Sequence, residues 1–474
     1  MKRAKIICTL GPASRSEDVL LAMVEEGLDV VRLNFSHGTY DEYRETIELV
    51  RRVEEKVRRP VAILQDLQGP KIRVGKVDPE PRELVAGTEA TLTTAEEHPP
   101  LVIRTTYLEL PNDVSRGDRI LLDDGQIELR VEEVSGQTVR CCVVVGGFLK
   151  SNKGINLPNI AVSAPSFTEK DRQDLRFGIE NGVDMVAMSF VRAPADIGLV
   201  KREAREWGGE IPVIAKLERP EAVDALDEIL EVADGVMVAR GDLGVELPPE
   251  QVPAIQKRII SRANSAGVVA ITATQMLESM TTNPRPTRAE ASDVANAIYD
   301  GTDAVMLSGE TAVGQYPVET VRMMARIVEE TESHLSSTHN TYLGGGDSGH
   351  LSFPDAIGHA ATTAAQGVNA RAIVAFTQSG STARLISKRR PTTPIVAFTP
   401  HQAIWRQLCL CWGTEPRLID TAYSTDEMVA EVEARLLVEG SVTVGDNLVI
   451  LSGAPVTARA ETNLLKLHRV GDAV

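Results

Sequence analysis

The sequence predicts an α/β protein: a closed barrel of eight parallel strands and helices, split by an all-β insert and followed by a separate α/β domain. Three observations predict it. Short apolar runs of β type alternate with amphipathic helical patterns from the N-terminus to about residue 333. Between about Pro70 and Pro165 that alternation gives way to short alternating segments with turn signals. A polar stretch ending at Leu343-Gly-Gly-Gly-Asp-Ser-Gly349 then separates a further set of βα units.

The first apolar run, Ala4–Cys8, is followed by a helix over Ser16–Glu26 with Ser16 as its cap. The second, Val30–Phe35, leads to a helix over Asp41–Val57 with apolar residues at Ile47, Val50 and Val53. The third, Val61–Leu64, ends in Gln65-Asp66. After the insert, a helix over Thr168–Asn181 resumes the pattern. Strands follow at Met185–Phe190, Val213–Ala215, Gly235–Ala239, Val268–Thr272 and Ala304–Leu307. One helix of about fifteen residues is expected after Glu218, and others over Gln251–Ala266, Arg288–Tyr299 and Pro317–Glu330. Eight βα units make a (β/α)8 TIM barrel, whose active sites lie at the carboxyl ends of the strands. An open doubly wound sheet uses the same alternation, but the chain lacks a Gly-rich dinucleotide loop, which favours the barrel.

Within the insert, Arg119–Leu122 precedes Asp124-Gly125, Glu128–Val134 precedes Ser135-Gly136, and Thr138–Val145 precedes Gly146-Gly147. The expected organisation is a barrel over 1–69 and 166–333, an all-β insert over 70–165 and a linker over 334–352. An α/β domain over 353–474 completes it, with strands at Ala372–Phe376, Ile395–Phe398, Pro416–Ile419 and Asn447–Leu451.

At 474 residues the chain exceeds one ordinary core, in keeping with two or three domains. Its 43% apolar and 25% charged residues are those of a soluble globular protein. A formal charge of −17 argues against nucleic-acid and membrane-surface roles, so an anionic substrate needs a local basic site or a metal. The cysteines read as reduced thiols. Cys141 and Cys142 point to opposite faces of a strand, and Cys409-x-Cys411 lacks a second zinc half-site. No secretory signal precedes Gly11-Pro12, and no apolar run nears the ~18 residues that span a bilayer, so a cytoplasmic location is expected.

On a barrel, polar residues gather at the same end of six strands. The second strand brings Arg32, Asn34, Ser36 and His37; the third brings Asp66; the fifth brings Lys216 and Glu218. Asp242 follows the sixth, Thr274 the seventh, and Ser308-Gly309-Glu310 the eighth. Any one alone reads as a cap or a solvated charge; together they point to a site. Glu218 and Asp242 are hard oxygen ligands suited to Mg²⁺ beside a phosphorylated substrate. Ion pairs with Arg240 or Arg219 are the alternative. Lys216 ends an apolar strand, where an unpaired charge is costly. It needs an anion, either a transferring phosphoryl group or a structural partner such as Asp66. Neither a G-x-x-x-x-G-K-[ST] nor a G-x-G-x-x-G loop is present.

Several stretches resemble pyruvate kinase. They are Lys5-Ile-Ile-Cys-Thr-Leu-Gly-Pro-Ala-Ser14, Val31-Arg-Leu-Asn-Phe-Ser-His-Gly38, Asp66-Leu-Gln-Gly-Pro-Lys-Ile-Arg73 and Lys153-Gly-Ile-Asn-Leu-Pro158. Val236-Met-Val-Ala-Arg240-Gly-Asp242, Ala273-Thr-Gln-Met-Leu-Glu-Ser-Met280 and Met306-Leu-Ser-Gly-Glu-Thr311 continue the series in that family's order, over nearly the whole chain. The resemblance implies a substrate-closing lid for the insert, a regulatory C-terminal domain and a homotetramer. It implies that Glu218 and Asp242 hold Mg²⁺ or Mn²⁺ bridging phosphoenolpyruvate, and that Lys216 neutralises the phosphoryl group passing to ADP. Arg32 and Arg73 become phosphate contacts, and backbone N–H groups at Gly241 and Asp242 stabilise the enolate. Thr274 lies near proton delivery to the enolate, with Ser308 and Glu310 as candidates for the same relay. Asn34, His37, Arg73 and Lys153 contact the nucleotide, Lys153 from the lid. The products are ATP and pyruvate.

Two further expectations concern ions and effectors. Many members carry Thr-Lys-Gly-Pro-Glu after the aspartate and coordinate K⁺ near the positions of Asn34, Ser36 and Asp66. Here Leu67-Gln68-Gly69-Pro70-Lys71 follows Asp66, so the Lys71 ammonium is expected to replace K⁺. In the C-terminal domain, Thr377, Ser379, Gly380, Ser381 and Thr382 lead from a strand into a helix and offer hydroxyls and N–H groups to a phosphate. The family uses this loop for a phosphorylated effector; a capped βα turn is the plain alternative. The Ser452-Gly-Ala-Pro-Val456 loop is short and lacks the Trp- and Arg-bearing segment of fructose-bisphosphate-regulated relatives, which favours AMP or a sugar monophosphate. Two other readings stand: a Mg²⁺-dependent enolate-forming aldolase or lyase, and a catalytically silent metabolite-binding relative. His37 and Lys153 argue against the first; intact Lys216, Glu218, Asp242 and Thr274 argue against the second.

Overall fold

A computed structural model of the chain describes residues 2–335, 351–420, 424–456 and 460–473. Eight parallel strands close into a barrel: Lys5–Thr9, Val30–Asn34, Ala62–Asp66, Met185–Met188, Val213–Leu217, Gly235–Ala239, Val269–Ala273 and Ala304–Leu307. They follow chain order around the ring, and the first pairs with the eighth, Lys5 opposite Ala304. The barrel is therefore chosen over the open sheet.

The two-residue period of a strand explains how these apolar runs fill two cores. Val30 and Ile214 point into the barrel with Ile7, Leu64, Met237 and Ile271. Their neighbours Val31 and Leu33 pack outward under the helices, as do Val213, Ala215 and Leu217. Helix starts follow the expected chemistry. Ser16 accepts the Val19 N–H to open Glu17–Glu25, and Thr168 forms a capping box with Asp171 to open Glu169–Glu180. Thr39 with Glu42 and Thr287 with Glu290 do the same for Tyr40–Val57 and Arg288–Tyr299.

The local readings differ from the structure in a few places. The single helix expected after Glu218 is two, Pro220–Asp224 and Leu226–Val232. The break at Ala225 brings Leu226, Ile229 and Leu230 into the same core as Ala222 and Val223. The fourth barrel strand stops at Met188 rather than Phe190, where a φ of +54° leaves the extended region.

Between the third strand and helix Glu169–Glu180 lies a six-stranded, mostly antiparallel sheet with its own core around Leu92, Ile120, Leu129 and Val139. Cys141 is buried there and Cys142 is not, as adjacent strand residues should be. The C-terminal sheet has the order Thr414–Leu418, Ile395–Thr399, Ala372–Phe376, Asn447–Gly453, Thr462–Arg469. The last strand runs antiparallel and was not read from the sequence, because Thr462–Arg469 shows no clear polar–apolar alternation. Most of the expected linker lies outside the described residues. Among them, no helix is long and apolar enough to cross a membrane.

Buried charge joins the barrel to the helices of the C-terminal domain. Asp303 is fully buried just before the eighth strand and pairs with Lys388 and, at 2.9 Å, with Arg390. Its Oδ2 also accepts the Ala270 N–H at 2.7 Å. Burial alone would raise this carboxyl, but Arg390 and Lys388 hold it below the ordinary carboxylate range. The Arg406 guanidinium likewise grips Glu54 of the second barrel helix, with Nε 3.0 and 3.1 Å from the two carboxylate oxygens. Asp303→Asn leaves two buried cations without their counter-charge. It is expected to cost about 3–5 kcal/mol, read as a fall in the urea midpoint; an unchanged midpoint would show that this network does not hold the domains together.

Candidate active site

Strand parity decides which polar side chains reach the barrel mouth. Arg32 and Asn34 share the inward parity of Val30, Asp66 that of Leu64, and Lys216 and Glu218 that of Ile214. Arg32 Nη2 lies 2.6 Å from Asp66 Oδ2, its Nε donates to the same oxygen at 2.7 Å, and Nη1 donates to Thr9 Oγ1 at 2.8 Å. Lys216 Nζ stands 3.2 Å from Asp66 Oδ1 and 2.8 Å from Glu218 Oε1. It also donates to Ser189 Oγ at 2.7 Å, and that hydroxyl donates to the Leu67 carbonyl at 2.7 Å. Glu218 Oε2 accepts the Phe190 N–H at 2.8 Å. Asp66 and Glu218 are each only 1% exposed.

The charges do not balance evenly. Burial would raise the Asp66 carboxyl, but Lys216 and Arg32 outweigh it and hold it below its ordinary value. Burial also opposes the Lys216 charge, yet Asp66 and Glu218 hold the ammonium above its usual range. Glu218 goes the other way. Burial pushes its carboxyl up to about 7 against the pull of Lys216, and the like charge of Asp242 adds to the rise. A cation between Glu218 and Asp242 would relieve that penalty. Among the described residues no cluster of three or more His, Cys, Asp or Glu is arranged to hold a metal alone. Two carboxylates completed by substrate and water oxygens fit Mg²⁺ or Mn²⁺. The alternative partners are engaged elsewhere: Arg240 with Asp293 at 2.7 Å and Arg219 with Glu221 at 3.1 Å.

Asp242 lies in the first turn of a short helix, Arg240–Glu246, which sequence patterning missed because it spans only seven residues. The Gly241 N–H, expected to face substrate, donates to Thr274 Oγ1 at 2.9 Å. The Thr274 hydroxyl donates to the Ala273 carbonyl at 2.6 Å. Glu310 is fully buried, and its two oxygens accept the N–H groups of Leu277 at 3.1 Å and Ser308 at 2.6 Å. It ties the loops after the seventh and eighth strands together.

A basic rim borders this cluster. Partial burial and the charges of Lys71, Arg73 and Arg32 push the His37 imidazole below its ordinary pKa. Burial, then Arg73, lowers the Lys71 ammonium, with Asp242 and Glu218 pulling it back up. Lys153 is held apart from the cluster by Asp123 at 2.7 Å, and Arg73 Nη1 donates to the Asn152 carbonyl at 3.0 Å. Asn34 Oδ1 accepts the Ser36 N–H at 3.1 Å, and the Leu67 side chain packs in the outer core. Gly69 has a φ of +68°, and a Cβ there would lie 2.7 Å from the Phe190 ring, so the turn that delivers Lys71 requires glycine. A cleft of about 70 Å³ lies among Lys71, Asp124, Gly154, Phe190 and Asp242. A larger cavity of about 1140 Å³ opens by Lys5, Asp29 and Trp405, remote from these residues; volume does not mark the chemistry.

In the C-terminal domain, Thr377 Oγ1 accepts the N–H of Gly380, which has a φ of +83° and opens the helix Ser381–Lys388. Thr382 is buried against the Thr462 hydroxyl at 2.8 Å, and the Ser379 hydroxyl donates to that of Ser381 at 3.0 Å. Part of the loop after Val456 lies outside the described residues.

Fold and site together define a (β/α)8 enzyme with a charged centre at the carboxyl ends of its strands. Residues 1–321 match the family model described as pyruvate kinase, barrel domain, and residues 355–468 match pyruvate kinase, alpha/beta domain. The chain is 46% identical over 473 residues to the pyruvate kinase of Mycobacterium intracellulare, covering 99% of both chains. It is 46% identical over 482 residues to that of Staphylococcus aureus, covering all of this chain and 81% of the relative. A crystal structure of a pyruvate kinase from Cryptosporidium parvum superimposes with a TM-score of 0.92 at 35% identity, over 99% of this chain and 96% of that one. The chain belongs to the pyruvate kinase family, and the expectation of an enzyme of that family holds.

Thr9, Ser189 and Phe190 are hydrogen-bonded neighbours of the cluster that the sequence reading did not single out, and Arg240 entered it only as an alternative ion-pair partner. Ser189 shares the inward parity of Ala187, a signal that was present in the strand pattern. Glu310→Gln turns one accepting oxygen into an NH₂ facing a backbone N–H. It is expected to cost about 1–3 kcal/mol and to speed amide hydrogen exchange at Leu277 and Ser308; unaltered exchange would show that Glu310 does not hold these loops.

Proposed function

We propose that the chain transfers the phosphoryl group of phosphoenolpyruvate to ADP, giving ATP and pyruvate, with Mg²⁺ or Mn²⁺ held by Glu218 and Asp242. The observation that carries this reading is the buried Arg32–Asp66–Lys216–Glu218 array beside Asp242. When bound, the divalent cation supplies charge neutralisation for the phosphoryl and enolate oxygens. Lys216 and Arg32 present fixed positive charge to the phosphoryl group, and Arg73 with His37 forms the rim toward the nucleotide, with Asn34 at its edge and Lys153 reaching in from the lid. As a β-phosphate oxygen of ADP bonds to phosphorus, the bond to the enolate oxygen breaks. The enolate then takes a proton at its methylene carbon from water held near Thr274, with Ser308 beside that path. Closure of the insert as a lid would exclude bulk water from the transfer.

Three finer readings accompany it. Lys71 replaces K⁺: its ammonium stands where the negative charges of Asp242 and Glu218 act on it. Ser379 and Ser381, with the helix N-terminus beside Gly380, take the phosphate of AMP or a sugar monophosphate. The active form is a cytoplasmic homotetramer, in keeping with the family.

Pyruvate formation from phosphoenolpyruvate, ADP and Mg²⁺ is expected with tetramethylammonium as the only monovalent cation, and Lys71→Glu is expected to make it depend on K⁺. Turnover only with K⁺ in the unaltered enzyme would discard the Lys71 reading; no turnover in any buffer would discard the reaction. AMP or glucose 6-phosphate is expected to lower the apparent KM for phosphoenolpyruvate, and Ser381→Asp to abolish that shift by charge repulsion. An equal shift in Ser381→Asp would place the effector elsewhere.

A further inference from the structure

We infer that Arg240 is a positioning residue which, backed by Asp293, holds Thr274 in the orientation the protonation step needs. The inference rests on the phosphoryl-transfer reading above. Thr274 has a φ of +69° and Gln275 a φ of +54°. A β-branched residue in the left-handed region is strained, and such strain persists only where the surroundings over-determine the backbone. Arg240 supplies that restraint. Its Nη2 donates to the Thr274 carbonyl at 2.6 Å and its Nε to the Ala273 carbonyl at 3.2 Å. Its Nη1 donates to both oxygens of Asp293, at 2.8 and 2.7 Å, on the helix Arg288–Tyr299.

The next residue completes the grip. The Gly241 N–H donates to Thr274 Oγ1 at 2.9 Å, and that hydroxyl donates to the Ala273 carbonyl at 2.6 Å. The Thr274 backbone and hydroxyl are thus both held by the step Arg240-Gly241, and Asp242 follows at once. One joint sets the Thr274 hydroxyl and the Asp242 carboxylate relative to each other. A lysine ammonium has no planar fork and cannot serve two carbonyls and a carboxylate in this arrangement.

Arg240→Lys and Asp293→Asn in the full-length enzyme test this with two readouts. One is pyruvate formation from phosphoenolpyruvate and ADP. The other is exchange of the pyruvate methyl hydrogens for solvent deuterium with ATP and Mg²⁺, followed by NMR, which reads the protonation step in reverse. Arg240→Lys is expected to lower both kcat and exchange by about 100-fold, with the KM for phosphoenolpyruvate within about threefold. Asp293→Asn is expected to lower both by about tenfold without loss of the folded state. Should Arg240→Lys fail to fold, Asp293→Asn decides alone. Normal exchange per folded site in the variants overturns the inference, since a merely structural role predicts it. Absence of turnover in the unaltered enzyme would instead overturn the functional reading.

Discussion

Asp66 is the fixed point of this molecule. Its carboxylate is almost wholly buried and takes Arg32 on one oxygen and Lys216 near the other. Through Ser189, which receives the Lys216 ammonium, the array links the second, third, fourth and fifth barrel strands at their carboxyl ends. A buried carboxylate of this kind is tolerable only because two cations meet it, and those cations are costly without it. The arrangement therefore constrains the register of four strands as well as the chemistry. No single member can be removed without leaving an uncompensated charge in the barrel mouth.

Further along the same face the compensation becomes incomplete. Lys216 is shared between Asp66 and Glu218, and Asp242 adds negative charge beside Glu218. A chain with a formal charge of −17 thus presents a local basic rim at Arg32, His37, Lys71 and Arg73 next to a local deficit of positive charge. The pairing suits a phosphorylated anion on one side and a divalent cation on the other. Long-range attraction contributes nothing toward an anionic substrate here, so short-range geometry has to supply the binding.

The fold was legible because a barrel strand advertises itself twice, through its apolar run and through parity. Once Val30, Leu64 and Ile214 are placed inward, Arg32, Asp66, Lys216 and Glu218 must follow them to the mouth. What escaped the sequence is what parity does not encode. The helix Arg240–Glu246 is too short to show a period, and the C-terminal strand Thr462–Arg469 shows no clear polar–apolar alternation. The commitments of Glu310 and of the Gly241 N–H depend on loops meeting in space, and no spacing along the chain announces them. The loop after strand Ala372–Phe376 shows the same division: its hydroxyls were visible, but not that Thr382 bonds to Thr462.

The two halves of the barrel mouth are held by different physics. Strands two to five rely mainly on opposite charges between side chains, with Glu218 also accepting the Phe190 N–H. Strands six to eight use polar side chains to fix backbone: Arg240 donates to the carbonyls of Ala273 and Thr274, and Glu310 accepts the N–H groups of Leu277 and Ser308. The difference suits the proposed phosphoryl transfer and protonation. Phosphate recognition needs charge in place, which an ion pair on a strand provides. In the proposed reaction the water that protonates carbon is held near Thr274 and needs that hydroxyl closely aimed, and Thr274 sits on a loop whose own dihedrals disfavour its position. A loop in that state cannot be held by packing alone, because its carbonyls and N–H groups require partners wherever they are buried. The partners that satisfy them are therefore also the ones that set the aim.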